Sequence, residues 1–404
     1  MKLHGYILLI LLTVASCSKC SKPALKAPVK PNPVGINHQE RAPDDNSTPK
    51  AHIIWDKTGR KISHTVYFAE YARVKRWNRD TLLLIYHYGK KHNEWDNIAL
   101  RKSYDNGKSW SAMQTLMADN NKKRYYGFST PEITRLKNGW LLLAYTGRGK
   151  PDDSTHNNLQ VRISKDIGTT WSKPAIVAIG RSWEPGVVQL PDGDVQIVFS
   201  TEIMSSKASW GRHEQKVVVI SSKDNGLSWS KPKDVSFVKG ARDGMSVPLV
   251  LNNKKGIVTV VESVHHTKSP CIIWSSLNAK WQYNTIGTTD NGRRWDGIDG
   301  IWGGAPYLIQ LPSGETIISV QDVGGRKINR YTGWKKNTML VFVGNSMARN
   351  FTHVSYPWPN LPLKEGAYFN SLFLKDDSTV VAISTRNYAN TRSDIWWKEG
   401  HVRR

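Results

Sequence analysis

SKDNGLSW, residues Ser222–Trp229, has three counterparts in the chain: SYDNGKSW at Ser103–Trp110, SKDIGTTW at Ser164–Trp171 and TTDNGRRW at Thr288–Trp295. An Asp two residues ahead of a Gly suits a tight turn, because the carboxylate accepts nearby backbone N–H groups and the Gly takes φ > 0 without a Cβ clash. The Trp then packs back beneath the turn. Asp105, Asp166, Asp224 and Asp290 stand 61, 58 and 66 residues apart, so the chain reads as an array of like supersecondary units.

Ahead of each such turn lies a second signature: an apolar run, a turn, and another apolar run. It reads PEITRLKNGWLLLAY from Pro131, EPGVVQLPDGDVQIVFS from Glu184, VPLVLNNKKGIVTVVE from Val247 and PYLIQLPSGETIISVQ from Pro306. ARVKRWNRDTLLLIY from Ala72 and YFNSLFLKDDSTVVAIS from Tyr368 are the outer members. Short strands joined at N-G, D-G or S-G are β-hairpins, and six hairpins make six units. With a third strand, the Asp turn and a fourth strand added, each unit becomes a four-stranded antiparallel blade. The expected fold is an all-β, six-bladed β-propeller. In the fifth unit TMLVFVGNSMARNFTHV has the rhythm of the turn without its Asp, and in the fourth both CIIWSS and WQYNTIG compete for the third strand. The sixth unit runs out after three strands, so the segment at residues 51–62 is expected to pair with it and close the ring.

The 404 residues carry a formal charge of +24 and seventeen Trp. Aromatic residues favour strands. The positive surplus suits an acidic polymer partner, but the Lys and Arg residues are scattered instead of gathered in a stripe, which argues against nucleic acid. Lys2, the apolar run Tyr6–Val14 and the small residues before Cys17 form a secretory signal over residues 1–16. Residues 17–50, rich in Lys, Pro and Ser, read as a flexible tether, and residues 51–404 as the folded domain. With three cysteines, two of them ahead of the domain, no disulfide framework is available. No His or Cys cluster has ligand spacing, so neither a metal nor another cofactor is expected.

Antiparallel blades put the start of the first strand and the end of the second on one face, opposite the Asp turns. Residues there converge on the axis: Glu70, Glu132, Glu184, Arg242, Asp243 and Tyr368 enter first strands, while His87, Tyr88, Arg148, Glu202, Glu262, Gln321, Asp322 and Arg386 leave second strands. Facing carboxylates are what glycosidic cleavage needs, one protonated to assist the leaving oxygen and one ionised to attack or to activate water. Glu184, hemmed by Trp183 and Pro185, and Glu262, ending the apolar strand IVTVVES, stand out. Trp183, Tyr88, Trp302 and Tyr368 are candidates to stack on sugar faces.

The turn pattern S/T-x-D-x-G-x-x-W is the Asp box, and the chain from residue 51 to 404 resembles the sialidase (neuraminidase) superfamily. Sialidases open their first blade with R-I-P and clamp a carboxylate with three arginines; here Glu70 stands at the Arg position and no R-I-P occurs. Trp183-Glu184-Pro185, Arg242-Asp243-Gly244-Met245 and Glu262 look more like the Asp-box exo-α-1,5-arabinanases. That resemblance implies Glu184 as general acid/base and Glu262 as nucleophile of a retaining exo-glycosidase, with Glu70, Arg73, Tyr88, Trp183, Arg242, Asp243, Tyr368 and Arg386 around the substrate. Val14-Ala15-Ser16-Cys17 resembles the bacterial lipobox, which implies acylation of Cys17 and a cell-envelope protein held to a membrane by its lipid alone. The leading expectation is a monomeric, lipid-anchored hydrolase of an oligosaccharide or polysaccharide. A sialidase built on Arg73, Arg242 and Arg386 and a non-catalytic glycan-binding propeller are the alternatives.

Overall fold

The computed structural model describes residues 37, 39–63, 68–89, 97–118, 125, 127–149, 156–203, 213–266, 268–329, 333–389 and 391–404. The signal segment, Cys17 and the tether up to residue 36 lie outside them. Blade one consists of Phe68–Arg76, Leu82–Gly89, Asn97–Ser103 and Gln114–Ala118. Blade two is Gly127–Arg135, Leu141–Arg148, Asn158–Ser164 and Ala175–Ile179, and blade three is Ser182–Gln189, Val195–Glu202, Gln215–Ser222 and Lys233–Phe237. Blade four is Arg242–Leu251, Gly256–Val264, Cys271–Ser275 and Arg294–Asp296. Blade five is Gly304–Gln310, Thr316–Asp322, Thr338–Gly344 and Thr352–Ser355. Blade six has Glu365–Asp376, Thr379–Tyr388 and Ser393–Arg403 from the end of the chain.

The fourth strand of blade six comes from the beginning of the chain. His52–Trp55 pairs antiparallel with Ser393–Arg403, His52 opposite Arg403 and Trp55 opposite Gly400, and Arg60–Lys61 continues the pairing at Trp397 and Trp396. First strands of successive blades pack against one another all the way round, blade six against blade one included. In blade four CIIWS, not WQYNTIG, fills the third position. Second strands are sandwiched between neighbouring blades, so their apolar runs are buried on both faces. Leu82–Ile85 and Leu141–Ala144 are fully buried, each such side chain contributing roughly 1.5–3 kcal/mol. The outer strand Ala175–Ile179 is largely exposed.

Three Asp boxes share one hydrogen-bond scheme. In the third, Asp224 Oδ1 accepts from Ser222 Oγ and Ser228 N, both at 2.8 Å, and Ser222 Oγ accepts from Gly226 N at 2.8 Å. Hydrogen bonds from the Ser228 hydroxyl and backbone hold the Asp224 carboxyl down at about 2. The fourth box departs from expectation: Asn291 Oδ1, not Asp290, accepts the N–H groups of Thr288 and Arg293. In blade five Asn345 Oδ1 takes the same part, accepting from Met347 N and Arg349 N at 3.0 Å.

Those two altered boxes are the ones that residues 39–50 run across. Glu40 Oε2 accepts from Ser276 Oγ at 2.6 Å and Tyr283 OH at 3.1 Å, and Arg41 donates to Asp290 O at 3.0 Å. Asn345 Nδ2 donates to Asp45 O at 2.7 Å, and Glu315 Oε1 accepts from Lys50 N at 2.8 Å. The tether boundary at Lys50 is therefore corrected: this segment is a strap bonded to blades four and five.

Near the axis every first strand bulges at a residue with left-handed backbone. The six are Tyr71, Thr130, Glu184, Met245, Ala305 and Phe369, with φ between 40° and 57°, and pairing to the second strand slips at each. A freed bulge N–H needs an acceptor. At four junctions the preceding blade supplies it from the residue opposite the start of its own bulge: His87 Nδ1 for Thr130 N, Glu262 Oε2 for Ala305 N, Gln321 Oε1 for Phe369 N and Thr385 Oγ1 for Tyr71 N.

Candidate active site

Strand register fixes which face holds the pocket. In blade three Val195 pairs with Ser222, which opens the Asp box, whereas Glu202 pairs with Gln215 at the other end. Gln215, Trp183, Glu184, Arg242, Met245 and Glu262 line one pocket of about 200 Å³, on the face away from the boxes.

Glu184 sits on the bulge of blade three, at φ 40°. Such a backbone is uncommon for a residue with a side chain and is held by its surroundings. Its Oε2 accepts from Ser200 Oγ at 3.2 Å and from Met245 N at 3.4 Å. Burial pushes its carboxyl up, against the pull of the Arg148 guanidinium. Glu262 ends the second strand of blade four, directly opposite Gly244. A Cβ on Gly244 would lie 3.7 Å from Glu184 Oε2. Glu262 Oε2 accepts from Ala305 N at 2.5 Å. Burial pushes Glu262 up to about 7, and the negative charge of Glu184 pushes the same way. Burial thus opposes ionisation of both carboxyls, and the charge of Glu184 adds to that opposition at Glu262.

A cationic cluster flanks the pair. Arg181 Nε donates to Glu202 Oε2 at 2.6 Å, and Arg242 donates to Glu202 Oε1 at 3.3 Å. Trp183 Nε1 also donates to Glu202 Oε1, at 3.1 Å. The Arg148 guanidinium lies over the Trp183 ring, 3.5 Å from its centroid. Arg148 stood among the strand-end residues expected at the axis; Arg181 did not.

Of the residues expected at the site, Trp183, Glu184, Arg242 and Glu262 come together in the pocket. The others go elsewhere. Asp243, fully buried, faces away: its oxygens accept from Ser236 Oγ, Ser263 Oγ and the Arg294 guanidinium. Tyr88 is buried in the core between blades six and one, its hydroxyl bonded to Thr115 Oγ1 at 2.7 Å. Tyr368 is also fully buried and donates to Glu70 Oε1 at 2.7 Å. Burial beside Glu70 drives the Tyr368 phenol well above its usual range, the opposite of an activated nucleophile. Arg73 is clasped between the rings of Tyr71 and Tyr307, 3.8 and 4.9 Å from their centroids, and ion-paired to Glu132 at 3.5 Å. Arg386 pairs with Glu365 at 3.2 Å amid Trp358 and Trp396. Arg73, Arg242 and Arg386 thus form no common clamp. Trp302 stands closer to the pocket, 3.4 Å from a Cβ on Gly304, the glycine that also abuts Glu262.

A six-bladed propeller with Asp boxes on one face is the architecture of the sialidase superfamily. Residues 34–315 match the BNR repeat-like domain, and the chain belongs to that family. The fold is shared with a protein of unknown function from Dyadobacter fermentans (TM-score 0.66, 15% identity, 87% of this chain and 100% of that one). It is shared as well with an α-L-arabinofuranosidase from Fusarium graminearum, solved with an iminosugar inhibitor (TM-score 0.61, 19% identity, 88% and 98%). A sialidase from Streptococcus pneumoniae is a third likeness (TM-score 0.58, 13% identity, 84% and 69%).

Proposed function

We propose that the protein is an exo-acting, retaining glycoside hydrolase in which Glu184 is the general acid/base and Glu262 the nucleophile. The observation that carries this reading is the pair itself: two half-buried carboxyls, delivered by separate blades to one small pocket. A terminal sugar entering the pocket meets Glu262 at its anomeric carbon while Glu184 protonates the departing oxygen. Water then opens the glycosyl–Glu262 ester with Glu184 as base. The similarity of fold to an arabinofuranosidase and a sialidase supports cleavage at a chain end. Secretion and tethering at Cys17 belong to the same reading and rest on the leader sequence; mass spectrometry of the mature amino terminus tests them.

One observation favours the reverse roles. Burial pushes Glu262 up to about 7, whereas at Glu184 the Arg148 guanidinium opposes the rise that burial causes. Azide rescue distinguishes the two. With Glu184 as acid/base, E184Q plus azide releases a glycosyl azide of retained configuration and E262Q plus azide one of inverted configuration; exchanged outcomes exchange the roles. Undiminished turnover of both variants, in folded protein, removes the assignment of Glu184 and Glu262.

A further inference from the structure

We infer that Gln215 is a substrate-binding residue of this pocket, its carboxamide taking two adjacent hydroxyls of a sugar ring, one as donor and one as acceptor. The inference rests on the proposed glycan site and goes on to a group that selects its sugar. Gln215 opens the third strand of blade three, opposite Glu202 and bridged to Arg242 of blade four. It lines the pocket together with Glu184 and Glu262 and is 7% exposed. Its backbone N–H is satisfied by Ala241 O at 3.2 Å. Its carboxamide makes no hydrogen bond among the described residues. The Oε1 of that group would stand 3.2 Å from a Cβ on Gly244, where Ser200 Oγ and Glu184 Oε2 also converge, at 3.4 and 3.7 Å. The amide head is thus turned toward the Glu184 carboxyl.

The other buried glutamines are all occupied. Gln160 Oε1 accepts from the Tyr145 hydroxyl at 2.8 Å, Gln196 Oε1 from Trp281 Nε1 at 3.2 Å and Gln321 Oε1 from Phe369 N at 2.9 Å. Each ties one strand to another, and its bonds offset the loss of water from the amide. Gln215 ties nothing, and a buried amide without partners destabilises the fold. A ligand that supplies the missing bonds removes that penalty. The neighbouring side chains narrow what the ligand is. Arg242 is held by Glu202 Oε1 and His213 O, and Glu184 Oε2 by Ser200 Oγ and Met245 N. The uncommitted amide therefore offers the pocket a neutral donor beside a neutral acceptor. Hydroxyls on adjacent ring carbons match that pair: one accepts from Nε2 while the other donates to Oε1.

Stability and binding together test this without requiring turnover. Gln215→Leu removes no hydrogen bond of the ring and should keep the wild-type melting temperature or raise it. Gln321→Leu, which strips the Phe369 N–H of its acceptor, should lower it. The full chain is then titrated calorimetrically with the methyl glycosides of arabinofuranose, xylose, glucose, galactose and N-acetylglucosamine, and with the monodeoxy forms of each. At least one of the neutral glycosides with a free diol should bind, and Gln215→Leu should weaken it about tenfold or more. Removing either of two adjacent hydroxyls should weaken binding to the wild type but add nothing to the loss in Gln215→Leu. A melting temperature that falls as far in Gln215→Leu as in Gln321→Leu overturns the inference. So does binding of none of the glycosides, binding confined to the acetamido sugar, or deoxy losses that persist undiminished in Gln215→Leu. Coupling of Gln215 to the two hydroxyls in a protein that hydrolyses nothing would leave the sugar subsite standing and remove only the hydrolase.

Discussion

Glu262 and Ala305 belong to different blades, and the carboxylate of the first accepts the backbone N–H of the second across the junction. His87, Gln321 and Thr385 do the same work at three other junctions. A residue proposed for chemistry therefore occupies a position that the ring already uses to latch blades together. Only one of its oxygens is engaged by the latch.

That double duty separates two substitutions. Glu262→Gln retains a carbonyl acceptor, as Gln321 does one blade later, and should keep the wild-type melting temperature while turnover falls roughly 10²–10⁴-fold. Glu262→Ala leaves the Ala305 N–H buried without a partner and should cost about 1–3 kcal/mol of stability as well. Thermal denaturation beside a turnover assay reads both.

Stability should depend on pH through the same carboxyl. The folded value of Glu262, about 7, lies above its ordinary value of 4.5. Below pH 4.5 the group is protonated in both states and imposes no cost. As pH rises from 4.5 to 7 the unfolded chain releases this proton while the folded protein keeps it, so stability is lost across that window and levels off above it. The loss attributable to Glu262 is on the order of 3 kcal/mol. Denaturant titrations from pH 4.5 to 8 should show this decline in the wild type and a shallower one in Glu262→Gln; parallel curves would dissociate Glu262 from it.

Asp224 and Asp290 occupy the same motif position but should respond differently to removal. Asp224→Ala deletes the acceptor of four turn N–H and O–H groups and should lower the melting temperature. The Asp290 side chain is exposed and only its backbone carbonyl is used, so Asp290→Ala should change stability by less than about 0.5 kcal/mol. Asn291→Ala should cost more than Asp290→Ala.

What the sequence disclosed and what it hid follow from this. Turn chemistry is local, so three boxes could be read from eight residues each, and their even spacing led to the blades. The fourth box keeps the letters while Asn291 has taken over the bonding, and in the fifth Asn345 serves where no Asp is present. Asp243 and Tyr88 were misplaced for a simpler reason. Each adjoins a residue that does face the axis side, Arg242 and His87, and alternation along a strand sends neighbours to opposite faces. The latch ring is hidden more deeply: His, Glu, Gln and Thr share no letter, only a place in the register. Arg148 was visible as a strand-end cation, but its stacking on Trp183 requires the next blade.

The strap yields a fourth test. Asp45 has its carboxyl held down at about 2, chiefly by the Ser346 and Ser47 hydroxyls acting against burial, and Glu40 holds Ser276 and Tyr283. Glu40→Ala with Asp45→Ala should remove about 1–3 kcal/mol and speed hydrogen exchange at the box turns of blades four and five. Exchange in blades one and two should stay unchanged.

The route of residues 39–50 also sets a direction. They join the ring beside the altered box turns of blades four and five, at Asp290 and Asn345. The pocket beside Glu184 and Glu262 opens on the far side of the ring from them.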